Sequence, residues 1–168
     1  LKRTISGMKG KGSLSHNRRE FVAENVDPER SCWNVIYKDE NLREVYHELF
    51  DSAVERYNAK QKRKDRRVDD YYEKIRIGRQ EKLFHEVVMQ VGNKDDCGAM
   101  TENGLLAQKI LDEYMQEFEQ RNPTLRVFGA FLHMDEATPH LHIDFVPYVK
   151  GGIIRTWFYR RFKIEDRT

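Results

Sequence analysis

Residues 126–148 read RVFGAFLHMDEATPHLHIDFVPY, and this stretch decides the fold. Apolar residues dominate RVFGAFLHM (126–134) and HLHIDFVPY (140–148), while DEATP between them carries the charge and proline of a short connection. The pattern predicts two strands joined as a hairpin. Side chains alternate along a strand, so His140 and His142 leave one face and Leu141, Ile143 and Phe145 the other. His133 ends the first strand, and the hairpin folds it back beside the pair. Three of the chain's six histidines can therefore converge within metal-ligand reach. Glu136, in the connection, is a candidate fourth ligand or an acceptor that fixes one imidazole's tautomer.

Upstream of the hairpin, Leu106, Ile110, Tyr114 and Phe118 mark a helix from about Asn103, stopped by Pro123. KLFHEVVMQVG (82–92) reads as a strand ending at glycine. Leu42, Val45, Tyr46, Leu49, Phe50, Ala53, Val54 and Tyr57 recur at i, i+3, i+4 and i+7, an amphipathic helix with Asp39 or Asn41 as its cap. The charged run 60–74 continues it or follows as another helix with little apolar surface. CWNVIYK (32–38) is a short strand, and GMKGKGSLSHNRRE (7–20), with three glycines, reads as a mobile basic loop. The expected fold class is α+β: an antiparallel sheet with the two amphipathic helices packed on one face.

At 168 residues the chain supports one ordinary domain with a core of its own. It is 35% charged and 39% hydrophobic, with a mean hydropathy of −0.83, but 11% aromatics argue against disorder. No apolar run approaches a membrane span, and Cys32 and Cys97 lack the spacing of a disulfide framework or zinc knuckle, so a soluble, cytoplasmic protein is expected. The chain begins at Leu1 rather than Met, as a trimmed or partial chain would. Net charge is only +2, yet the charges are segregated. Basic residues gather in 1–19, 60–67 and 150–163, and acids in 95–119, the pattern of one face that meets a polyanion and another that does not. Polyanion binding by such a chain is steeply salt-dependent despite the near-neutral sum.

Three neutral imidazoles leave a divalent ion its full charge and open positions, as catalytic rather than closed structural sites do. Affinity order at such ligands favours Zn2+, Ni2+ or Co2+ over Mn2+. The spacing HxxExxxHxH matches neither HExxH nor HxxEH, which sets the metalloprotease helices aside.

The pattern HxDExTPHxH, His133 through His142, resembles the metal motif of the Mob/Pre plasmid mobilisation and recombination enzymes, the MobV-type relaxases among the HUH endonucleases. The likeness extends to LSHNRREF (14–21), the strand around Glu86 and the order of elements, most of residues 5–148. The resemblance implies the HUH relaxase architecture, a ferredoxin-like palm, in a catalytic domain over 1–148 with a basic C-terminal extension at 149–168. It implies nicking of one strand of single-stranded or supercoiled plasmid DNA at a transfer origin, Mn2+ or Mg2+ in use, and a covalent link to the 5′ end. Full-length relatives continue into partner-binding segments, so transfer-machinery partners would act through regions absent here.

The family's H-N-x-R motif falls on His16, Asn17 and Arg19, making His16 the implied nucleophile and Glu86 its implied acidic partner. An unprotonated imidazole can attack phosphorus, and neighbouring cations keep it unprotonated. Arg19 suits a phosphate clamp. Lys9, Lys11, Asn17 and Arg18 are the expected DNA-contacting residues, positioning the backbone without reading sequence. Tyr37 is the rival nucleophile, as in a rolling-circle replication initiator. A DNA-binding module with a purely structural metal is the non-catalytic alternative. Asp144, on the histidine face of its strand, departs from the family pattern.

Overall fold

The computed structural model describes residues 4–78 and 80–149. The basic extension expected at 149–168 lies outside them except for Val149. The chain divides into two compact units, one of residues up to Glu40 with Phe84–Val146, the other built on Asn41–Leu83.

The first unit is a five-stranded sheet of β1 (Ile5–Lys9), β2 (Val35–Asp39), β3 (His85–Val91), β4 (Leu125–His133) and β5 (His140–Pro147), in the order β1-β3-β5-β4-β2. β3 runs antiparallel to β1 and β5, and β2 antiparallel to β4. Two helices complete its core: α4 (Glu102–Gln116) and α5 (Phe118–Arg121). The apolar faces of Met89, Val91, Val127, Leu141 and Ile143 meet Ala107, Leu111, Met115 and Phe118. Leu111 is fully buried, which contributes about 1.5–3 kcal/mol for that side chain alone. Thr101 caps α4 by accepting the Gly104 N–H at 3.1 Å.

Two expectations change here. Ile5–Lys9 is an edge strand paired with β3, not part of a loop. Every residue of it is exposed, so no apolar alternation marks it, and its partner lies some eighty residues away. The strand expected over 32–38 begins only at Val35, because Pro28–Trp33 forms a 3-10 helix. Pro28 presets its first turn and Asp27 caps it, accepting the Glu29 N–H at 3.1 Å.

The second unit holds α2 (Leu42–Ala59), capped by Asn41, and α3 (Tyr71–Ile77), capped by Asp70. Tyr46 of α2 packs edge-on against Tyr72 of α3, and Phe50 edge-on against Tyr71. The two helices expected on one sheet are thus divided between two units, α2 being buried with α3. The stripe expected on α4 is displaced by one residue: Ala107, Leu111 and Met115 face the core with Phe118, while Leu106 and Ile110 are exposed. Residues 60–70, expected to be helical, contain only a 3-10 turn at Lys64–Arg66. Their charge leaves almost nothing to bury.

Candidate active site

The hairpin forms as its sequence predicts, and β4 and β5 lie in the interior of the sheet rather than at its edges. They deliver His133, His140 and His142, each at most 8% exposed, with ring centroids 4.8–5.3 Å apart. One nitrogen of each ring is held by an acceptor. His133 Nε2 donates to the Asn17 carbonyl at 2.9 Å, His140 Nδ1 to the Thr138 carbonyl at 2.9 Å, and His142 Nδ1 to Glu86 Oε1 at 2.6 Å. His133 Nδ1 and His142 Nε2 are left buried without a partner. Burial, with the neighbouring His142 charge, brings His133 down to about 3, and the same causes lower His140. His133 Nδ1 and His142 Nε2, each on a ring held from behind through its other nitrogen, are buried donors of the kind a divalent cation requires. Glu136 joins them: one donor atom each from His133, Glu136 and His140 lies within 4.8 Å of the others.

His16 sits on a short helix, α1 (Leu14–Asn17), with its ring edge-on to His133 and His142 at 5.8 and 5.6 Å. Burial, then the Arg19 charge, lowers its pKa, so it is an uncharged imidazole near neutrality. The carboxylate that reaches it is Glu136, whose Oε1 stands 3.4 Å from His16 Nε2. Glu86, the expected partner of His16, serves His142 instead. The oxygens of Glu86 are taken by His142, by the Gly12 N–H at 2.6 Å and by Asn17 Nδ2 at 2.9 Å. Burial alone would raise its carboxyl, but these hydrogen bonds prevail and bring it down to about 2. Gly10 makes the close approach possible, since a Cβ there would collide with the Glu86 carboxylate.

Arg19, expected to clamp phosphate, adopts a left-handed backbone with φ 55°. Its guanidinium donates to Asp135 at 3.0 and 2.6 Å and to Glu136 at 2.8 Å, leaving Nη1 at 3.2 Å from His16 Nε2. Asp135, fully buried, also accepts from Ser31 Oγ and Asn34 Nδ2. Sequence reasoning assigned this acid no role, although it occupies the fixed aspartate position of the HxDExTPHxH pattern.

Asn17, expected to contact DNA, is only 2% exposed, and its amide bridges Glu86 and Asp144 at 2.9 Å each. Lys9 and Lys11 are exposed, and Arg18 is bound to Asp39 at 2.7 Å. Tyr37 is turned toward α4, where its hydroxyl donates to Asp112 at 2.7 Å. Burial and that carboxylate push its phenol upward, away from an ionised nucleophile.

Asp144 is fully buried and its Oδ1 is unpartnered. Burial pushes it up to about 7, with the Asn17 hydrogen bond opposing and the Glu86 charge adding. A carboxyl raised on folding costs stability once pH exceeds its unfolded value near 4, and the cost is complete above pH 7. Asp144→Asn should therefore raise Tm at pH 8 and leave it nearly unchanged at pH 3, as followed by thermal unfolding.

The sequence profile of the Mob_Pre family, described as plasmid recombination enzyme, matches residues 33–161. The chain belongs to this family. In this Mob_Pre chain the matched span contains the whole histidine hairpin but starts after α1, so the placement of His16 rests on geometry. Among solved structures, a MobM relaxase domain (MOBV; Mob_Pre) bound to 22 nucleotides of plasmid pMV158 oriT DNA, with Mn at pH 5.5, superposes with a TM-score of 0.53. Identity is 21%, covering 92% of the Mob_Pre chain and 74% of the other. A second, with 23 nucleotides at pH 6.5, gives 0.52 at 21% identity over 97% and 76%. A third, carrying a 3′-thiophosphate at pH 6.8, gives 0.51 at 22% over 92% and 74%. At these identities the likeness establishes the shared fold. No curated protein matches the chain. Among the described residues, no helix is long and apolar enough to cross a membrane.

Proposed function

We propose that this Mob_Pre chain is a DNA relaxase domain that nicks one strand of plasmid DNA at a transfer origin and holds the 5′ end on His16. One observation carries the reading: an uncharged His16 ring stands beside two metal-ready histidines, with Glu136 3.4 Å from its Nε2. The Mn-bound, oriT-bound state of the structural neighbours supports it.

His16 attacks phosphorus, the P–N bond forms and the P–O3′ bond breaks, leaving a phosphoramidate and a 3′-hydroxyl protonated from solvent. Glu136 is placed to receive the ring proton as positive charge develops on the imidazole. The Arg19 charge, pinned by Asp135, disfavours protonation of the ring. A divalent ion, Mn2+ or Mg2+, held by His133, His140 and His142 would supply Lewis-acid polarisation of the scissile phosphate. Exposed Lys9 and Lys11 would meet the phosphate backbone. The setting is the cytoplasm, where plasmid DNA resides.

The test is relaxation of supercoiled plasmids carrying candidate transfer origins. With Mn2+ the chain should yield a nicked product with protein attached to the 5′ end, and chelation with EDTA should stop it. No relaxed product on any origin would count against the reading.

A further inference from the structure

Among the described residues, two overlapping groups bring together one potential ligand atom from each side chain within 4.8 Å: His133, Glu136 and His140, and His16, His133 and His142. The second group contains the proposed nucleophile. We propose that in the DNA-free protein His16 is itself a metal ligand, joining His133 and His142 in an all-imidazole set that selects Zn2+ and withholds the attacking ring. The inference rests on the metal-site part of the relaxase reading and requires no DNA.

Three features of the site support this. His133 Nδ1 and His142 Nε2 are buried and unpartnered, so two of the three donors already lack any other use. His16 has a ring nitrogen within 4.8 Å of one from each of His133 and His142. Its backbone is fixed close to the cluster, because the next residue, Asn17, is bound through its side chain to Glu86 and Asp144 and through its carbonyl to His133. The ring keeps 25% side-chain exposure, so an incoming strand can still reach it.

The choice of ion follows from ligand chemistry. Zn2+ takes nitrogen or sulfur ligands in tetrahedral sites, and three imidazoles with water in the fourth position make such a set. Mn2+ prefers oxygen donors and keeps water, so it has less to gain from a further imidazole. Arrival of DNA then exchanges a neutral nitrogen for an anionic phosphate oxygen, and the released ring faces phosphorus. No bond other than the coordination bond changes.

The test uses the whole chain with 15N-labelled histidine and metal alone. Saturating Zn2+ should shift a His16 ring nitrogen to a metal-bound position, together with those of His133 and His142. By calorimetry, His16→Gln should weaken Zn2+ binding by about tenfold or more while leaving Mn2+ affinity within about threefold. His16 resonances that do not move with Zn2+, or equal Zn2+ affinity in a folded His16→Gln, would overturn the proposal. The wild-type spectrum decides by itself if the variant does not fold. A chain that binds Zn2+ through His16 yet, freed of Zn2+ and supplied with Mn2+, nicks no plasmid would sink the relaxase reading and leave this one standing. The reverse pair of results would do the opposite.

Discussion

His16→Ala should abolish the covalent DNA adduct and lower plasmid nicking on the order of a thousandfold or more, since no neighbouring group can replace the nucleophile. Among the described tyrosines, the rival Tyr37 is bonded to Asp112 on the α4 side. Tyr37→Phe should keep the adduct and cost about 1 kcal/mol of stability, the usual worth of one hydrogen bond. Acid treatment separates the two linkages in the wild type: a phosphoramidate to histidine hydrolyses, and a phosphodiester to tyrosine survives. An acid-stable adduct that persists in His16→Ala would remove His16 from its proposed role.

Asp135→Ala should be the most destabilising substitution near the site, by about 3 kcal/mol in denaturant unfolding, because it strands a largely buried guanidinium. Arg19 keeps Glu136 but loses the two hydrogen bonds that fix its plane, and Ser31 and Asn34 lose their acceptor. Burial alone would raise the Asp135 carboxyl, but the bonds from Arg19, Asn34 and Ser31 hold it well below the usual carboxylate range. A carboxyl lowered on folding contributes stability above its unfolded value near 4 and loses it as pH falls further. Glu86, at about 2, acts in the same direction. The wild type should therefore lose stability below pH 4, and Asp135→Ala should flatten that loss. An unchanged acid limb would show that the Arg19–Asp135 pair contributes little.

The parts legible in the sequence were those set by local periodicity. The two-residue spacing of His140 and His142 and the turn signals of DEATP were enough to place three imidazoles together. The parts that were not legible depend on long-range register. Glu86 lies opposite Asp144, and Val88 opposite His142, in the β3–β5 ladder. That register decides which histidine Glu86 meets, and nothing local to either strand encodes it. Asn17 looked like a surface residue in a basic loop, because its two acidic partners come from strands 69 and 127 residues further along. Asp144 stood out as a departure, but its burial became visible only once α1 was seen to lie over it through Asn17.

The strand order also has a consequence in time. Among the described strands β5 is the last to be synthesised, yet it lies between β3 and β4. Until residues 140–147 leave the ribosome, β1 with β3 and β4 with β2 are two separate ladders with no strand to join them. Two of the three histidines of the cluster arrive on that final piece. A nascent chain therefore carries His16, the proposed nucleophile, for more than a hundred residues before it can assemble the histidine cluster around it. Strand insertion between distant partners is intrinsically slow, so the power to cut DNA should appear after translation of this domain rather than during it.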